Sequence, residues 1–327
     1  MRYRRLGKTG YQVSEIGFGA WALGGQWGRV DDSTSLRALH AAADAGVNFF
    51  DTADVYGDGR SERVIRQFLE ARRGERFFVA TKVGRRAPLD MASYTRASFR
   101  DWVDRSRENL GMGTLDLVQL HCLPTDVYYT PDVFVWLDEL RSEGAVAHYG
   151  ASIARIEEGL KAIEYPGIAT IQVIFNIFRQ RPAERLLPAA HASDVGIIAR
   201  IPLASGLLTG KLHAGSVFGA DDHRAFNRHG EAFDAGETFS GVDFERGLHA
   251  VEQIRPLVPE GWTMAQFALR WVMMHGAVST AIAGARDPDQ AQANASASEL
   301  ARIPAAAMDA LAALYRDEIA SMVHQRW

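Results

Sequence analysis

The chain has 327 residues, with 36 basic against 40 acidic side chains and a net charge of −4. Apolar residues make up 47% and charged residues 23%, the balance of a packed protein with a sizeable core and not of a disordered chain. The mild acidic balance gives no support for a nucleic-acid surface, and the single cysteine, Cys122, excludes an internal disulfide and any cysteine-based metal cage. The start, MRYRRLGKTG, has charges but no following apolar core and no small-residue cleavage site, so no signal peptide is expected. The longest uncharged stretches, 165–178 and 271–285, are too short and too polar to span a bilayer, and the expected setting is the cytoplasm.

Short β-branched or aromatic runs alternate with amphipathic helical patterns. The opening YRRLGKTGYQVSEIGFG predicts a hairpin around Lys8, Thr9 and Gly10, running into a strand at 15–19. Residues 33–46 predict a helix with Leu36, Leu39, His40 and Ala43 on one face, stopped by Gly46. A strand at 47–53 follows, then a helix at 61–72 and a strand at 77–83. A helix at 95–110, ended by Gly111, leads to a strand at 115–122 and a helix at 132–142. Next come a short strand at 148–152, a helix at 156–165, a strand at 171–176, a helix at 183–193 and a strand at 196–202. The rhythm breaks over 206–241, which is rich in Gly, His and Asp. Helices at 243–254 and 264–275, a last strand at 280–284, and helices at 288–297 and 304–319 complete the pattern.

After the hairpin the strands number eight, each followed by at least one helix. Their cores read as apolar runs, as parallel strands covered on both faces require. Eight such units predict a single-domain α/β protein over 1–327, a (β/α)₈ TIM barrel with an N-terminal β-hairpin and C-terminal helices. The rival, a doubly wound sheet with a second domain, is disfavoured. No GxGxxG opens a helix after an early strand, and no Pro/Ser-rich linker divides the chain.

Barrel active sites lie at the C-terminal ends of the strands. The second strand ends in NFFDTADVYG, placing Asp51 at its end and Tyr56 in the next loop; the third ends in ATK, with Lys82; the fourth ends in QLH, with His121. Each residue alone has a plain structural reading: a solvated Lys, an Asp cap, a hydrogen-bonded core His. Convergence at one rim is what favours chemistry. An ammonium beside a phenol lowers its pKa from about 10. Asp51 can supply the counter-ion of Lys82, Tyr56 can donate a proton to a carbonyl oxygen, and His121 can orient that carbonyl. No side chain donates hydride, so a nicotinamide cofactor is the expected source.

These pieces, DTADVYG, ATK and QLH, resemble the aldo-keto reductase family. So do the opening MRYRRLGKTGYQVSEIGFGAWALGG, the PLASGLLTGK run and the segment AIAGARDPDQAQAN. The pattern most resembles the bacterial branch with inositol-operon and potassium-channel-β-like reductases. The resemblance implies an NADPH/NADP-dependent oxidoreductase that converts an aldehyde or ketone, such as an oxo-sugar or other small carbonyl compound, to the alcohol. It implies the tetrad Asp51, Tyr56, Lys82 and His121, with Tyr56 as proton donor. It also implies that Ser152 and Gln172 hold the nicotinamide carboxamide. Leu203, Ser205, Gly206, Leu208 and Lys211 would cover the pyrophosphate. Gly284, Arg286, Gln290 and Asn294 would hold the pyrophosphate, 2′-phosphate and adenine. The last segment also reads unaided as an anion site, a glycine and an arginine just before a helix started by Pro288.

Two positions depart from the family. Arg200 stands where an aromatic residue usually lies under the nicotinamide, and by strand alternation it faces the barrel mouth. There its planar cation would stack on the ring and favour the reduced cofactor, unless it turns to pair with an acid at the rim. Ala293-Asn294 replaces a Glu-Asn pair at the adenine. Substrate contacts are expected from Trp21, Trp27 and Tyr128, with Tyr129, Phe178 and Arg179 as further candidates. The partner is a small carbonyl substrate. Two other readings compete: a slow-turnover NADPH-binding regulatory subunit, and a metal-dependent barrel hydrolase. The hydrolase would want His-x-His on the first strand, where this chain has Ile16-Gly17-Phe18-Gly19.

Overall fold

The computed structural model describes residues 1–327 except Gln26 and Arg29. Strands β1 (Tyr3–Arg5) and β2 (Gln12–Ser14) form the antiparallel hairpin. At its tip Gly7 has a φ of 49°, and a Cβ there would lie 2.1 Å from the nitrogen of Gly196, so no side chain fits.

Eight parallel strands close the barrel: β3 (Ile16–Gly19), β4 (Phe49–Asp51), β5 (Phe78–Val83), β6 (Leu115–His121), β7 (Val146–Ser152), β8 (Ile168–Ile174), β9 (Gly196–Arg200) and β10 (Val278–Gly284), which pairs with β3. The β4 ladder is shorter than the pattern predicts. Asn48 turns to the hairpin, where its side chain accepts from Ser14 N and donates to Gln12 O.

Helices wrap the outside: α1 (Asp32–Asp44), α2 (Arg60–Ala71), α3 (Arg96–Leu110), α4 (Pro131–Ser142), α5 (Ile156–Ala162) and α6 (Leu186–Ala192). Their ends follow local chemistry. The Asp31 carboxylate accepts from Thr34 N at the start of α1, and Gly111, in a left-handed conformation, ends α3. The aperiodic stretch carries α7 (His223–Phe226) and tight turns at Ala235–Glu237 and Phe239–Gly241. Then come α8 (Phe244–Ile254), α9 (Met264–Met273), α10 (Pro288–Ser296), α11 (Ala305–Leu314) and α12 (Ala320–Val323). The continuous helix expected at the end is broken by a π turn at Tyr315–Ile319. The extra residue per turn keeps both Tyr315 and Ile319 buried, and Tyr315 Oη meets His324 Nδ1 at 3.0 Å.

The barrel interior is apolar below and polar above. Phe49, Ala80, Leu117, Ile198 and Ile282 pack with Leu6 and Val13 of the hairpin, which plugs the lower end. Arg4 fastens that plug, donating to Glu15 and to the carbonyls of Met273, His275 and Val278. A second, larger core lies between strands and helices. No helix among the described residues is long and apolar enough to cross a membrane.

One buried carboxyl stands out. Asp54, in the loop after β4, is wholly buried, and among the described residues neither of its oxygens has a well-formed hydrogen-bond partner, the Val55 N–H offering only a weak pull. Nearby Glu62 is better served, accepting from Thr81 Oγ1 at 2.6 Å and Asn109 Nδ2 at 2.8 Å. Burial, then the Glu62 charge, pushes the Asp54 carboxyl up to about 7, against the weaker pull of Arg86 and Arg105. An acid whose folded pKa is raised destabilises the fold as pH climbs from its unfolded value toward its folded one. Asp54→Asn is therefore expected to raise the melting temperature, by little near pH 4, increasingly up to about pH 7, and by a constant amount above. Thermal melts of both proteins across that range test this; a pH-independent difference refutes the ionisation account.

Candidate active site

Strand register sets the heights of the polar side chains at the upper end. Asp51 on β4 lies opposite Ala80 of β5; two residues on, Lys82 lies opposite Gln119 of β6; two further, His121 lies opposite Ser152 of β7. Ser152 lies opposite Gln172 of β8, and Ile174 opposite Arg200 of β9. Each step of two keeps the side chain on one face, so the pleat directs all of them inward.

Lys82 is fully buried, and its Nζ lies 2.5 Å from Asp51 Oδ1 and 2.8 Å from Thr52 O. The same ammonium donates to Tyr56 Oη at 3.4 Å. Burial is the largest single influence and would depress the ammonium; Asp51 and Tyr56 together outweigh it, and the net shift is upward, so Lys82 stays charged. With Lys82 directly against Asp51, no gap is left between them for a metal ion, and the described residues contain no group of three acidic, His or Cys side chains placed to hold one. The Tyr56 phenol was expected to fall in pKa. Lys82 does pull it down, but burial is the larger effect and the net shift is upward. His121 meets the Tyr56 ring edge-on at 5.8 Å. Burial first, then the charges of Arg85, Lys82 and Arg200, hold the imidazole well below its usual pKa, and its buried Nδ1 has no partner among the described residues. The upper barrel thus holds a protonated phenol, an ammonium beside it and a neutral imidazole.

The expected cofactor residues divide. Gln172 donates to Asp51 Oδ2 at 2.7 Å and accepts from Ser152 Oγ at 3.3 Å, so these two residues brace the carboxylate of the tetrad. Arg200 is buried at the rim beside an acid. It donates to Ile153 O at 3.2 Å and Cys122 Sγ at 3.4 Å, and lies 3.7 Å from Glu237, which opposes its charge. The buried hydroxyl of Ser205 donates to Glu237 O and accepts from Phe239 N, so its side chain clamps two loops together. Leu208 has its side chain wholly in the core and its N–H bound to Leu203 O. Leu203 and Gly206 remain partly exposed, and Lys211 is exposed. Gly284, Arg286 and Gln290 are exposed beside the start of α10, and the guanidinium of Arg286 and ammonium of Lys211 have no hydrogen-bond partner among the described residues. Asn294 is buried and donates to Gly284 O.

Of the expected substrate contacts, Trp21 and Trp27 stand over the mouth. Trp21 stacks on Tyr56 at 6.1 Å and on His223 at 4.7 Å, and Trp27 meets the same imidazole edge-on. Trp27 also bridges to Asp222, so the loop after β3 and the loop after β9 form one roof. Tyr128 is not a substrate contact: it is wholly buried in the outer core, because the turn after β6 folds it inward. Phe178 is likewise wholly buried, and Arg179 lies over the indole of Trp327. Tyr129 is exposed beside Lys161.

Four residues at the site were not foreseen. Gln119 stands two before His121 in QLH and faces the same way, a signal the alternation carries; it donates to Asp51 Oδ2 at 3.4 Å. Arg85, Glu237 and His223 lie off the strands, where no period marks them. Glu237 reaches Arg85 Nη1 at 3.3 Å from the aperiodic stretch.

Removing one member of a buried ion pair leaves the other charge unmatched. Lys82→Met is expected to cost about 3–5 kcal/mol of stability, and adding Asp51→Leu to it is expected to recover much of the loss. Denaturant melts of the two single variants and the double variant measure the coupling; additive losses refute it.

Comparison with known proteins follows the same outline. The sequence model of the aldo/keto reductase family matches residues 15–316. The aldo-keto reductase YhdN of Bacillus subtilis is 30% identical over 303 residues, covering 90% of this chain and 87% of its own. A probable voltage-gated potassium channel subunit beta of Oryza sativa is 30% identical over 305 residues, covering 89% of each. The structure of the aldo-keto reductase AKR11C1 from Bacillus halodurans, in its holo form, superposes with a TM-score of 0.76 at 26% identity, over 96% of both chains. The barrel, the hairpin beneath it and the match over nearly its whole length place this chain in the aldo/keto reductase family.

Proposed function

We propose that this protein reduces an aldehyde or ketone to the alcohol, with NADPH as the hydride source and Tyr56 as the proton donor. The observation that carries this reading is the Lys82 ammonium, 2.5 Å from Asp51 and 3.4 Å from the Tyr56 hydroxyl. A phenol held protonated is a donor. It delivers its proton to the carbonyl oxygen, and the adjacent ammonium stabilises the phenolate left behind. Asp51, braced by Gln172 and Gln119, keeps that ammonium in place and charged. His121 is neutral, so it orients the carbonyl by hydrogen bonding without adding a charge of its own.

The residues present fit a dinucleotide. Gly284 leaves the backbone open beside the start of α10, and the free cationic groups of Arg286 and Lys211 suit phosphates. Ser152 and Gln172 would hold the carboxamide, Arg200 would floor the ring, and Leu203, Gly206, Gln290 and Asn294 would line the remainder. When bound, the nicotinamide supplies the hydride that no side chain can. Because Glu237 opposes the Arg200 charge, that residue gives less bias toward the reduced cofactor than a lone cation would. The similarity to a channel beta subunit favours a second reading, a slow NADPH-binding regulatory subunit. Fast single-turnover oxidation of bound NADPH with almost no steady-state rate would select it.

Tyr56→Phe is expected to lower kcat by about 10²–10⁴-fold while leaving NADPH affinity nearly unchanged. Since burial raises the Tyr56 pKa, the wild-type reduction rate should hold steady through pH 9 and fall only beyond the ordinary phenol value of about 10. Steady-state kinetics at 340 nm check both, and a loss within tenfold for the variant refutes the assignment. Arg286→Ala is expected to weaken NADPH by about tenfold or more, the size of a lost charge-assisted contact, and NADH much less. Fluorescence titrations with both cofactors decide; equal losses place Arg286 away from the 2′-phosphate.

A further inference from the structure

The charges at the barrel mouth do not balance. Lys82 is matched by Asp51, yet Arg85 and Arg200 converge on one carboxylate, Glu237, at 3.3 and 3.7 Å. A third guanidinium, Arg179, is buried and, among the described residues, has no carboxylate within salt-bridge distance, Asp234 opposing its charge only from further away; it donates to Ser240 O and lies over Trp327. Arg200 also keeps a buried Nε with no partner among the described residues. Buried cations without matching anions are costly to a fold. Such an excess beside the reacting groups is the mark of a site that receives an anion.

Arg85 is the member placed to receive it. It follows Lys82 by three residues, past the turn at Gly84, whose φ is 106°. Its side chain is only 18% exposed, so its charge is partly desolvated. Among the described residues its one hydrogen-bond partner is Glu237, through Nη1. A guanidinium has five N–H donors in a planar fork, so most of that fork is unengaged. After burial, the Arg85 charge is the largest influence on His121, ahead of Lys82, so its field reaches the imidazole that would orient the carbonyl.

We propose that the substrate is a small aldehyde or ketone bearing a carboxylate, and that the free fork of Arg85 binds that carboxylate while Glu237 holds the guanidinium in position. This rests on the reductase reading above and adds the substrate class to it. The chemistry of reduction is unchanged: the carboxylate is a handle and no bond to it forms or breaks. A planar carboxylate meets a planar guanidinium through two parallel hydrogen bonds. An uncharged aldehyde leaves that fork empty, and a site built around a buried polar group discriminates against a ligand that lacks the partner.

The test pairs ω-oxo acids from glyoxylate to 5-oxopentanoate with n-aldehydes of equal length, in wild type, Arg85→Gln and Arg85→Lys, with NADPH and with NADH. In wild type the oxo acid of the best-fitting length is expected to exceed its neutral counterpart in kcat/KM. Arg85→Gln is expected to cost the oxo acid at least about tenfold more than the aldehyde, mainly through KM, as loss of a charge-assisted contact should. Arg85→Lys should recover part of that difference. If the oxo acid and the aldehyde lose equally within twofold, the subsite is refuted while the reductase reading stands. If wild type reduces no compound with either cofactor, the reductase reading fails. The subsite is then decided by tryptophan fluorescence, since Trp21 lines the mouth: 4-oxobutanoate must quench wild type and not Arg85→Gln. Equal quenching in both, or none in either, overturns it.

Discussion

A lysine ammonium buried inside a barrel is the constraint around which the upper half of this protein is arranged. Lys82 cannot be solvated there, so Asp51 must lie against it, and Asp51 in turn needs donors for its second oxygen. Gln172 and Gln119 supply them from β8 and β6. The chain of contacts then runs on: Gln172 to Ser152, Ser152 to Cys122, Cys122 to Arg200, Arg200 to Glu237, and Glu237 to Arg85 at the end of the strand that carries Lys82. Side chains from six strands and from the loops after three of them thereby form a polar belt inside an otherwise apolar barrel. Such a belt is stable only when its members are satisfied together, which ties the geometry near Tyr56 to residues well away from it.

Below the belt the physics is different. The inward side chains are apolar, and the end of the barrel is stoppered by Leu6 and Val13 of the hairpin. Arg4 fixes the hairpin through three backbone carbonyls and Glu15, joining the first strand to the last. A rigid, dry base of this kind lets the upper layer hold charges at hydrogen-bond distances. The roof is different again. Aromatic stacking of Tyr56, Trp21 and His223 couples the loop after β4 to the loops after β3 and β9, and the indole of Trp327 donates to Asp234 in the segment that carries Glu237. Residues with left-handed backbone, Ala204, Ser205, Phe239 and Ser240, mark where these segments cross.

Much of this was legible in the sequence for a local reason. Strand alternation and helix period follow from backbone geometry, so eight strand–helix units could be counted and closed into a barrel. The motifs DTADVYG, ATK and QLH lie at strand ends, where position along the chain fixes position at the rim; that is why Asp51, Lys82 and His121 could be brought together with Tyr56 over them. The same rule covers Gln119, two residues before His121. It does not reach past the strand ends: Tyr128 follows a strand but is turned into the outer core, and the internal bonds of Ser205 and Leu208 have no period that marks them.

What the sequence determined alone is the barrel, its hairpin and the residue types gathered at its upper rim, because each depends on short-range periodicity and on register counted in steps of two. What only the tertiary structure decided is how charge is shared there. Arg85 meets Glu237 across 152 positions of chain, and Gln172 meets Asp51 across 121. The direction of the Tyr56 shift depends on how deeply the closed barrel buries the phenol compared with how near it brings Lys82. Desolvation and pairing between distant segments have no period in sequence; they exist only once the barrel has closed and the loops have crossed its mouth.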